Sequence, residues 1–309
     1  MRVYDNMRCL VGNTPMVRLN GFPVREGINL FAKLELYNPA GSLKDRLGMY
    51  FIQDAEEKGK LKKGDTIIEA TAGNTGLGLA FAALNRGYKV ICVVPTKFSL
   101  EKIALMRALG AEVVQTPREN GMAGAEEKTE ELLASIPNSM SFYQFRNPAN
   151  PMAHYLSTGP EIYKDMDGKI DYLVSGAGTG GTYTGVMRYL KEQNPAIKGV
   201  LADPVGSIIG GGDIHADYNI EGIGNDFIPE TMDVSLVDIA IKVTDDEAYS
   251  MAREIVKREG IIAGTSSAAD LVAALKLAEK IEVAKGKTVN IVVLFPDRGD
   301  RYISKNIYG

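Results

Sequence analysis

A lysine that follows a glycine–serine turn is the first residue whose type and position suggest chemistry. Lys44 lies in the segment NPAGSLKDR (38–46), at the predicted start of a helix. The positive end of the helix dipole disfavours a cation there, which lowers the pKa of the amine and suits it to Schiff-base chemistry. Most lysines in a first helical turn are simply solvated, so Lys44 alone establishes no function.

A second segment, EATAGNTGLGLA (69–80), joins a predicted strand to a predicted helix. Its glycines let backbone N–H groups turn outward at a helix N-terminus, where an anion is favoured. Thr71 and Thr75 add hydroxyl donors and Asn74 adds an amide. The segment therefore predicts a binding site for a carboxylate or a phosphate, and an ordinary strand-to-helix turn is the alternative.

A third segment, VSGAGTGGTYTG (174–185), has the same order of strand, glycine-rich turn and helix. Gly176, Gly178 and Gly181 satisfy the pattern G-x-G-x-x-G, and Asp203 follows at the end of a later predicted strand. On spacing alone this arrangement is compatible with dinucleotide binding. A single fingerprint of this kind is weak, so a nicotinamide-dependent oxidoreductase is an alternative.

Hydroxyl groups in that third segment favour a different ligand. Thr179 and Thr182 would hold a single phosphate monoester as well as the glycines would hold a dinucleotide. Two anion-binding turns together with Lys44 fit a phosphorylated aldehyde cofactor better than they fit a dinucleotide.

A fourth segment, AGTSSAAD (263–270), places small and hydroxyl residues before a predicted helix. Serine is a preferred N-cap residue, so capping is the expected explanation for one of Ser266 and Ser267. The second serine is then free for another purpose.

The elements that must position these segments alternate between strand and helix. Strands are predicted at 29–36, 65–70, 88–94, 111–116, 171–176, 198–203, 240–244 and 288–295, and helices at 76–87, 102–110, 181–193 and 245–260. Continuous apolar strands that alternate with helices predict an α/β fold with parallel sheets. The loop-rich segment 144–155 could separate two units, and 205–230 is a long aperiodic stretch of the kind that is usually functional.

Composition excludes several classes of protein. The chain has 309 residues, 45% hydrophobic and 24% charged, with a net charge of −4. This charge gives no basic surface for nucleic acid or anionic membranes. No apolar run is long enough to span a bilayer, and the N-terminus lacks the layout of a signal peptide. We therefore expect a cytoplasmic protein that binds neither nucleic acid nor membranes.

Cysteines and histidines are too few for several common kinds of site. Cys9 and Cys92 predict neither a disulfide framework nor a zinc site, and Cys92 lies in an apolar run where burial is expected. The two histidines are His154 and His215, and no G-x-S-x-G motif is present. Hydrolases and histidine-based metal sites are therefore disfavoured, and no metal is expected.

Taken together and in order, these segments resemble the cysteine synthase and cystathionine β-synthase family of fold-type II pyridoxal 5′-phosphate (PLP) enzymes. In pattern they are most similar to O-acetylserine-dependent cystathionine β-synthases. Nine segments carry the resemblance over nearly the whole chain: LVGNTPMVRL (10–19), NPAGSLKDR (38–46), TAGNTG (71–76), QFRNPANP (144–151), STGPEI (157–162), GAGTGGT (176–182), EGIGNDFIP (221–229), GTSSAA (264–269) and PDRGDRYIS (296–304).

The resemblance implies an architecture. Two parallel-sheet α/β domains would hold PLP in the cleft between them. The smaller domain would span 38–149 and carry a mobile loop around Asn74. The larger would comprise 1–37 and 150–309 and carry the phosphate-binding loop. A homodimer is implied as well.

The resemblance also implies roles for individual residues. Lys44 would hold PLP covalently and, once displaced by the amino acid, would remove and return its Cα proton. The other implied contacts are Asn74 with the ring hydroxyl, Ser266 with the pyridine nitrogen, Gly178, Thr179, Gly180, Gly181 and Thr182 with the phosphate, and Thr71, Ala72, Gly73, Thr75 and Gln144 with the substrate carboxylate.

The serine at position 266 bears on the reaction class. A hydroxyl facing the pyridine nitrogen leaves it largely unprotonated, whereas an aspartate would keep it protonated. Carbanion charge then stays near Cα and favours expulsion of a β-leaving group, after which a thiol adds. The expected reaction is β-replacement on O-acetylserine or cysteine with sulfide or homocysteine, giving cysteine or cystathionine.

Departures from the family pattern bear on the substrate. Ala72 stands where serine is usual, and Ala268 stands where glycine is usual. Gly222, Asn225 and Asp226 belong to a loop that resembles cystathionine synthases more than sulfide-using enzymes. We expect this loop to contact the second substrate. Asp226 would either activate a thiol or water or, more simply, serve as a structural acid.

The sequence leaves the leaving group and the nucleophile open. On the same scaffold, cysteine could be the β-donor, releasing hydrogen sulfide and accepting water or a second thiol to give serine or lanthionine. A non-catalytic binding module is a further alternative, which the intact Lys44, Asn74 and Ser266 argue against.

Overall fold

The computed structural model of the chain describes residues 3–212 and 217–309. His215 and part of the aperiodic stretch 205–230 therefore lie outside the described residues. In the remainder of that stretch the backbone follows turns and irregular segments.

The described elements alternate between strand and helix as predicted. The strands are β1 (Met16–Arg18), β2 (Ile28–Leu34), β3 (Thr66–Ala70), β4 (Lys89–Pro95), β5 (Glu112–Thr116), β6 (Ser139–Met140), β7 (Tyr172–Gly176), β8 (Lys198–Pro204), β9 (Ile239–Val243) and β10 (Val289–Phe295). The α-helices are α1 (Lys44–Glu57), α2 (Asn74–Ala83), α3 (Leu100–Ala108), α4 (Gly121–Ser135), α5 (Ala149–Leu156), α6 (Thr158–Asp165), α7 (Gly181–Gln193), α8 (Asp245–Glu259) and α9 (Thr265–Ala278).

The strands form two sheets. The four-stranded sheet has the order β5-β4-β3-β6 and is parallel throughout. The six-stranded sheet has the order β1-β2-β10-β7-β8-β9, and its strands are parallel except for the antiparallel pair β1 and β2. The predicted α/β fold with parallel sheets is confirmed. The antiparallel edge strand was missed because three residues carry no readable periodicity.

Strands and helices form where burial on both faces favours apolar runs. All residues of β3 and all but the first residue of β4 are buried, including Cys92, as predicted. Helices α2 and α9 are apolar on nearly every face because each is packed in the interior. Helix α1 lies so close to α2 that a Cβ at Gly78 would stand 2.2 Å from the carbonyl oxygen of Lys44. This contact fixes the start of α1 beside the start of α2.

One predicted loop contains a helix, and two further helices were missed. The segment 144–155 was predicted to be loop-rich, but α5 begins at Ala149, within it. Proline is tolerated in the first turn of a helix, where its missing N–H is not needed, so Pro151 does not prevent α5 from forming. Helices α4 and α6 were not predicted either.

The two sheets take their strands from different parts of the chain. All strands of the four-stranded sheet lie within 38–149, and β1 and β2 belong to the six-stranded sheet. The domain limits themselves stay a prediction. Within the described ranges, no helix is both long and apolar enough to cross a membrane.

Candidate active site

A cavity of about 950 Å³ is lined by residues at the carboxyl ends of β3 and β7. Ligands of open α/β sheets bind outside the carboxyl ends of the strands. The cavity is lined by Lys44, Thr71, Ala72, Gly73, Asn74, Thr75, Gln144, Gly178, Thr179, Gly180, Thr182, Gly222, Asn225, Asp226 and Ser266. These are the predicted site residues, and Gly181 is the one of them that does not line the cavity.

Lys44 is the first residue of α1, and its partly exposed side chain lines the cavity. Its amine has no hydrogen-bond or ion-pair partner among the residues that the structure describes. Burial lowers the pKa of Lys44 to about 8 because the surrounding protein reduces the solvation of the charged form. A lysine with its pKa lowered in this way supplies a much larger fraction of neutral amine near neutral pH than an ordinary lysine does, which suits Schiff-base chemistry.

The turn between β3 and α2 (residues 71–75, the β3–α2 turn) is held largely by its own side chains. The Thr71 hydroxyl oxygen accepts hydrogen bonds from the backbone N–H of Gly73 at 3.0 Å and of Gly76 at 3.3 Å. The Thr75 hydroxyl donates to Oε1 of Gln144 at 2.6 Å. Gly73 has φ +135°, a conformation that other residues rarely adopt. Helix α2 has no side-chain N-cap, so its first N–H groups remain available to an anion.

A buried carboxylate organises the segment that carries Gln144. Glu69 accepts hydrogen bonds from the backbone N–H groups of Phe142 at 2.8 Å, Tyr143 at 3.2 Å and Gln144 at 2.9 Å. Tyr143 adopts φ +54°, which this set of bonds supports. Burial raises the pKa of Glu69, although these N–H donors act against that shift. Glu69 thus fixes Gln144 at the cavity wall.

Asn74 connects the two sheets through its side-chain amide. Its Nδ2 donates to Oδ2 of Asp297 at 2.7 Å, and its Oδ1 accepts from Arg301 at 2.9 Å. Since Arg301 can only donate, the orientation of the amide is defined. The second N–H of Nδ2 is then left for a ligand in the cavity.

The turn between β7 and α7 (residues 177–182, the β7–α7 turn) contains glycines at positions where a side chain would be strained or would clash. Gly180 has φ +79°, and α7 has no side-chain N-cap. A Cβ at Gly178 would stand 2.3 Å from the carbonyl oxygen of Gly222. A Cβ at Gly181 would stand 2.0 Å from Oδ1 of Asn150, so Gly181 is turned towards protein instead of cavity.

Neither serine of the fourth segment caps its helix, so the capping explanation was wrong. The N-cap of α9 is Gly264, and no side-chain cap is present. Ser266 lies inside the first turn of α9 and lines the cavity. Ser267 is fully buried, and its hydroxyl has no hydrogen-bond partner within the described residues.

The loop that carries Asn225 and Asp226 contacts the β7–α7 turn. Asn225 donates through Nδ2 to the carbonyl oxygen of Gly178 at 2.5 Å, and its backbone N–H donates to Ser207. Its amide therefore braces the turn. The carboxylate of Asp226 lines the cavity and makes no hydrogen bond or ion pair with any described residue.

Several charged residues that line the cavity were missed in the sequence, because isolated charges in a loop or helix resemble ordinary surface residues. Lys102 is buried and donates to Glu221 at 2.9 Å and to the hydroxyl of Tyr302 at 2.9 Å. Lys97 and Arg118 are exposed at the cavity mouth. The segment PDRGDRYIS was an available indication for Tyr302 and for the two residues that bind Asn74, Asp297 and Arg301.

Asp203 is not placed to bind a ribose. It is 1% exposed, does not line the cavity, and forms an ion pair with Lys242 at 2.6 Å. The glycine fingerprint at 176–181 therefore lacks the acidic partner that dinucleotide binding needs.

Comparisons with known proteins agree with this geometry. The family described as pyridoxal-phosphate dependent enzyme matches residues 8–297. An O-acetylserine dependent cystathionine β-synthase of Bacillus subtilis is 49% identical over 308 residues, which cover 100% of this chain and 99% of that protein.

Two solved structures are similar over all or nearly all of the chain. An O-acetylserine dependent cystathionine β-synthase from Helicobacter pylori aligns with a TM-score of 0.95 at 42% identity, covering 100% of both chains. A hydrogen sulfide-producing enzyme from Fusobacterium nucleatum aligns with a TM-score of 0.93 at 39% identity, covering 97% of this chain and 100% of that one. The chain belongs to the pyridoxal-phosphate dependent enzyme family. It has the fold-type II architecture, and PLP is its cofactor.

The donor set of the cavity fits this cofactor. A phosphate needs N–H and hydroxyl donors at a helix N-terminus, which the β7–α7 turn provides. An aldehyde needs an amine with a lowered pKa, which Lys44 provides. When bound, PLP supplies an electron sink for charge that develops at the Cα of an amino acid.

Proposed function

We propose that this enzyme replaces the β-substituent of O-acetylserine or cysteine with a thiol. The product is cystathionine when the thiol is homocysteine and cysteine when it is sulfide. One observation carries this proposal: a single cavity joins Lys44 to two separate anion-binding turns, one at the end of each sheet. Two anions match a cofactor phosphate and an amino-acid carboxylate.

The proposed roles follow from the positions of the donors. The phosphate is bound by Gly178, Thr179, Gly180 and Thr182. The backbone N–H of Gly181 is the first in α7, and it contributes the positive end of the helix dipole to the binding of the phosphate. Asn74 donates its free amide hydrogen to the ring hydroxyl. Ser266 faces the pyridine nitrogen and leaves it unprotonated.

The β3–α2 turn is proposed to bind the α-carboxylate. The hydroxyl hydrogen of Thr71, the second amide hydrogen of Gln144 and the N–H groups at the start of α2 are the available donors. Thr75 can join them by turning its hydroxyl from Gln144 to the substrate. Lys44 Nζ then removes the Cα proton and later returns it, and the turn excludes water while it holds the carboxylate.

Homocysteine is favoured over sulfide as the second substrate. A cavity of about 950 Å³ lies near the upper end of the range for small-molecule sites, so it has room for an amino-acid thiol beside the cofactor. Lys97 and Arg118 at its mouth have no carboxylate partner among the described residues. An amino-acid thiol carries a carboxylate that these cations can bind, whereas sulfide does not. Gly222 and Asp226 also line the cavity and complete the proposed subsite.

Product analysis tests this proposal. O-acetylserine or cysteine is incubated with enzyme and homocysteine, sulfide or no thiol, and products are identified by mass spectrometry. Cystathionine from O-acetylserine and homocysteine is expected. The variant Arg118→Gln should raise the KM for homocysteine about tenfold and leave the KM for sulfide unchanged. Arg107→Gln, another exposed arginine that does not line the cavity, is the matched control and should change neither. Absence of any β-replacement product would refute the function.

A second candidate function is release of hydrogen sulfide from cysteine, with water or another thiol as acceptor. The similarity to the hydrogen sulfide-producing enzyme of Fusobacterium nucleatum favours it. The carboxylate of Asp226, which has no partner in the described part of the chain, is available to activate water. Serine formed from cysteine alone would support this candidate, and Asp226→Asn should then slow it selectively.

We also propose that the enzyme is a cytoplasmic homodimer. The free thiols Cys9 and Cys92 suit a reducing compartment. Met152 and Leu156 lie one turn apart on α5 and are 43% and 56% exposed, which offers an apolar surface for a second copy of the chain. Light scattering should give the mass of a dimer, and replacing both residues by lysine should reduce it towards that of a monomer.

A further inference from the structure

Helix α5 presents two polar side chains, both fully buried, to the start of α7. Asn150 and His154 are four residues apart, so they lie on one face of α5, and each is 0% exposed. The two helices are in backbone contact, since a Cβ at Gly185 would stand 2.1 Å from the carbonyl oxygen of Pro151. Neither residue lines the cavity, so both act from behind the β7–α7 turn.

Asn150 defines the hydrogen bonding of Thr179. Its Nδ2 donates to the carbonyl oxygen of Gln144 at 2.8 Å and to Oγ1 of Thr179 at 2.9 Å. A carbonyl oxygen can only accept, so the amide orientation is determined. Thr179 therefore accepts from Asn150, and its own hydroxyl hydrogen remains free for the cavity.

His154 stands in the corresponding position behind Thr182. Its Nε2 is 3.1 Å from Oγ1 of Thr182, and its Nδ1 is 2.9 Å from Oγ1 of Thr158. Burial, with the positive charges of Lys44 and Arg46, holds the pKa of His154 well below its usual range. The imidazole is therefore neutral, with one donor and one acceptor nitrogen.

We propose that His154 carries its proton on Nε2 and donates it to Thr182, so that the Thr182 hydroxyl hydrogen points at the cofactor phosphate. In this tautomer Nδ1 is an acceptor, and the Thr158 hydroxyl at 2.9 Å stabilises it by donating to Nδ1. Asn150 and His154 are then positioning residues that keep both threonine hydroxyls as donors to an anion. This inference rests on the proposed assignment of the β7–α7 turn to the phosphate.

Nitrogen NMR of the holoenzyme tests the tautomer directly. The chain has two histidines, so a sample labelled with ¹⁵N-histidine and carrying His215→Gln retains the signals of His154 alone. A protonated Nε2 and an unprotonated Nδ1 are expected. The opposite tautomer would make Thr182 donate to the imidazole and would overturn the proposal. This readout is independent of turnover, so it can fail while the β-replacement function stands, and the reverse also holds.

Affinity of the apoenzyme for PLP tests the consequence. Thr182→Val should weaken binding about tenfold, as expected for one hydrogen bond to a charged group. Thr158→Val should weaken it about threefold, and the double variant should be no weaker than Thr182→Val, because both remove the same hydrogen bond. Thr158→Ser keeps the hydroxyl and should restore the affinity of the parent enzyme.

Thr129→Val is the matched control. Thr129 is also buried and hydrogen-bonded, but to the carbonyl oxygen of Ala125 in α4. It should leave PLP affinity unchanged. Equal losses in Thr129→Val and Thr158→Val, or additive losses in the double variant, would show that Thr158 acts only through packing and would overturn the proposal. An unchanged affinity in Thr182→Val would instead remove the phosphate assignment on which it rests.

Discussion

The β3–α2 turn and the β7–α7 turn have the same local pattern but are supported differently. Each follows a buried parallel strand and precedes a helix without a side-chain cap. In the β7–α7 turn, hydroxyls are supported from behind by α5 and keep their own hydrogens free. In the β3–α2 turn, Thr71 accepts bonds from its own loop, and the hydroxyl hydrogen of Thr75 is used by Gln144.

This difference suits the β7–α7 turn to a ligand that stays bound and the β3–α2 turn to a ligand that exchanges. The β7–α7 turn has its donors arranged before an anion arrives, which suits a cofactor that stays bound. The β3–α2 turn must exchange at least the bond between Thr75 and Gln144 when a carboxylate enters. A turn that exchanges bonds in this way suits a substrate that binds and leaves in every cycle.

Removing Lys44 should have the largest effect, because both turns present their ligands to this amine. Lys44→Ala should lower kcat about 10²- to 10⁴-fold, as expected for loss of a general base. Both turns should still bind their ligands, so the addition of PLP and then of O-acetylserine should each change the visible spectrum of the variant. Turnover at the parent rate would contradict the assignment of Lys44.

Crowding the β7–α7 turn should have the next largest effect, which is a loss of PLP affinity. Gly178→Ala places a methyl group against the backbone of Gly222 and should weaken PLP binding roughly tenfold to a hundredfold, since overpacking costs about 1–3 kcal/mol. Gly222→Ala is the control on the other side of this contact. Its Cβ meets nothing within 4 Å, so it carries only the cost of φ +92°, about 1–2 kcal/mol in stability. Equal PLP affinities in the two variants would argue against a tight β7–α7 turn.

A change in the β3–α2 turn should affect substrate and spare cofactor. Thr75→Val keeps the shape of the side chain and removes the hydroxyl, so the KM for O-acetylserine should rise about tenfold. PLP affinity, measured by reconstitution of the apoenzyme, should not change. If cofactor affinity fell as much as substrate affinity, the two turns would not have separate ligands.

The smallest effect concerns pH. Because the pKa of Lys44 is about 8, the neutral amine is a minor form below that pH and the major form above it. The rate of PLP uptake by the apoenzyme should therefore rise about fivefold from pH 7 to pH 8 and level off above pH 9. A rate that kept rising towards the ordinary pKa of lysine would show that burial does not act on this amine.

Prediction from the sequence succeeded where the signal was local. Apolar runs predicted most strands because burial on both faces requires them, and both glycine-rich turns line the cavity, while their binding of anions stays a prediction. The contacts of Asn150 with Thr179, of His154 with Thr182 and of Asp297 with Asn74 were not predictable, because they link residues 29, 28 and 223 positions apart in the chain. Gly181 was assigned to the ligand from its place in the pattern, whereas packing against Asn150 is what excludes a side chain there. Ser266 was identified by resemblance, and only the helix boundary showed that it is no cap.

A crystal structure of the Lys44→Ala variant with PLP and O-acetylserine would show which turn holds which anion. We expect the phosphate within hydrogen-bonding distance of Thr179 and Thr182 and the α-carboxylate at Thr71 and Gln144. We also expect that Thr75 has released Gln144. A carboxylate bound at the β7–α7 turn, or a phosphate bound at the β3–α2 turn, would refute the proposed division of ligands between the two turns.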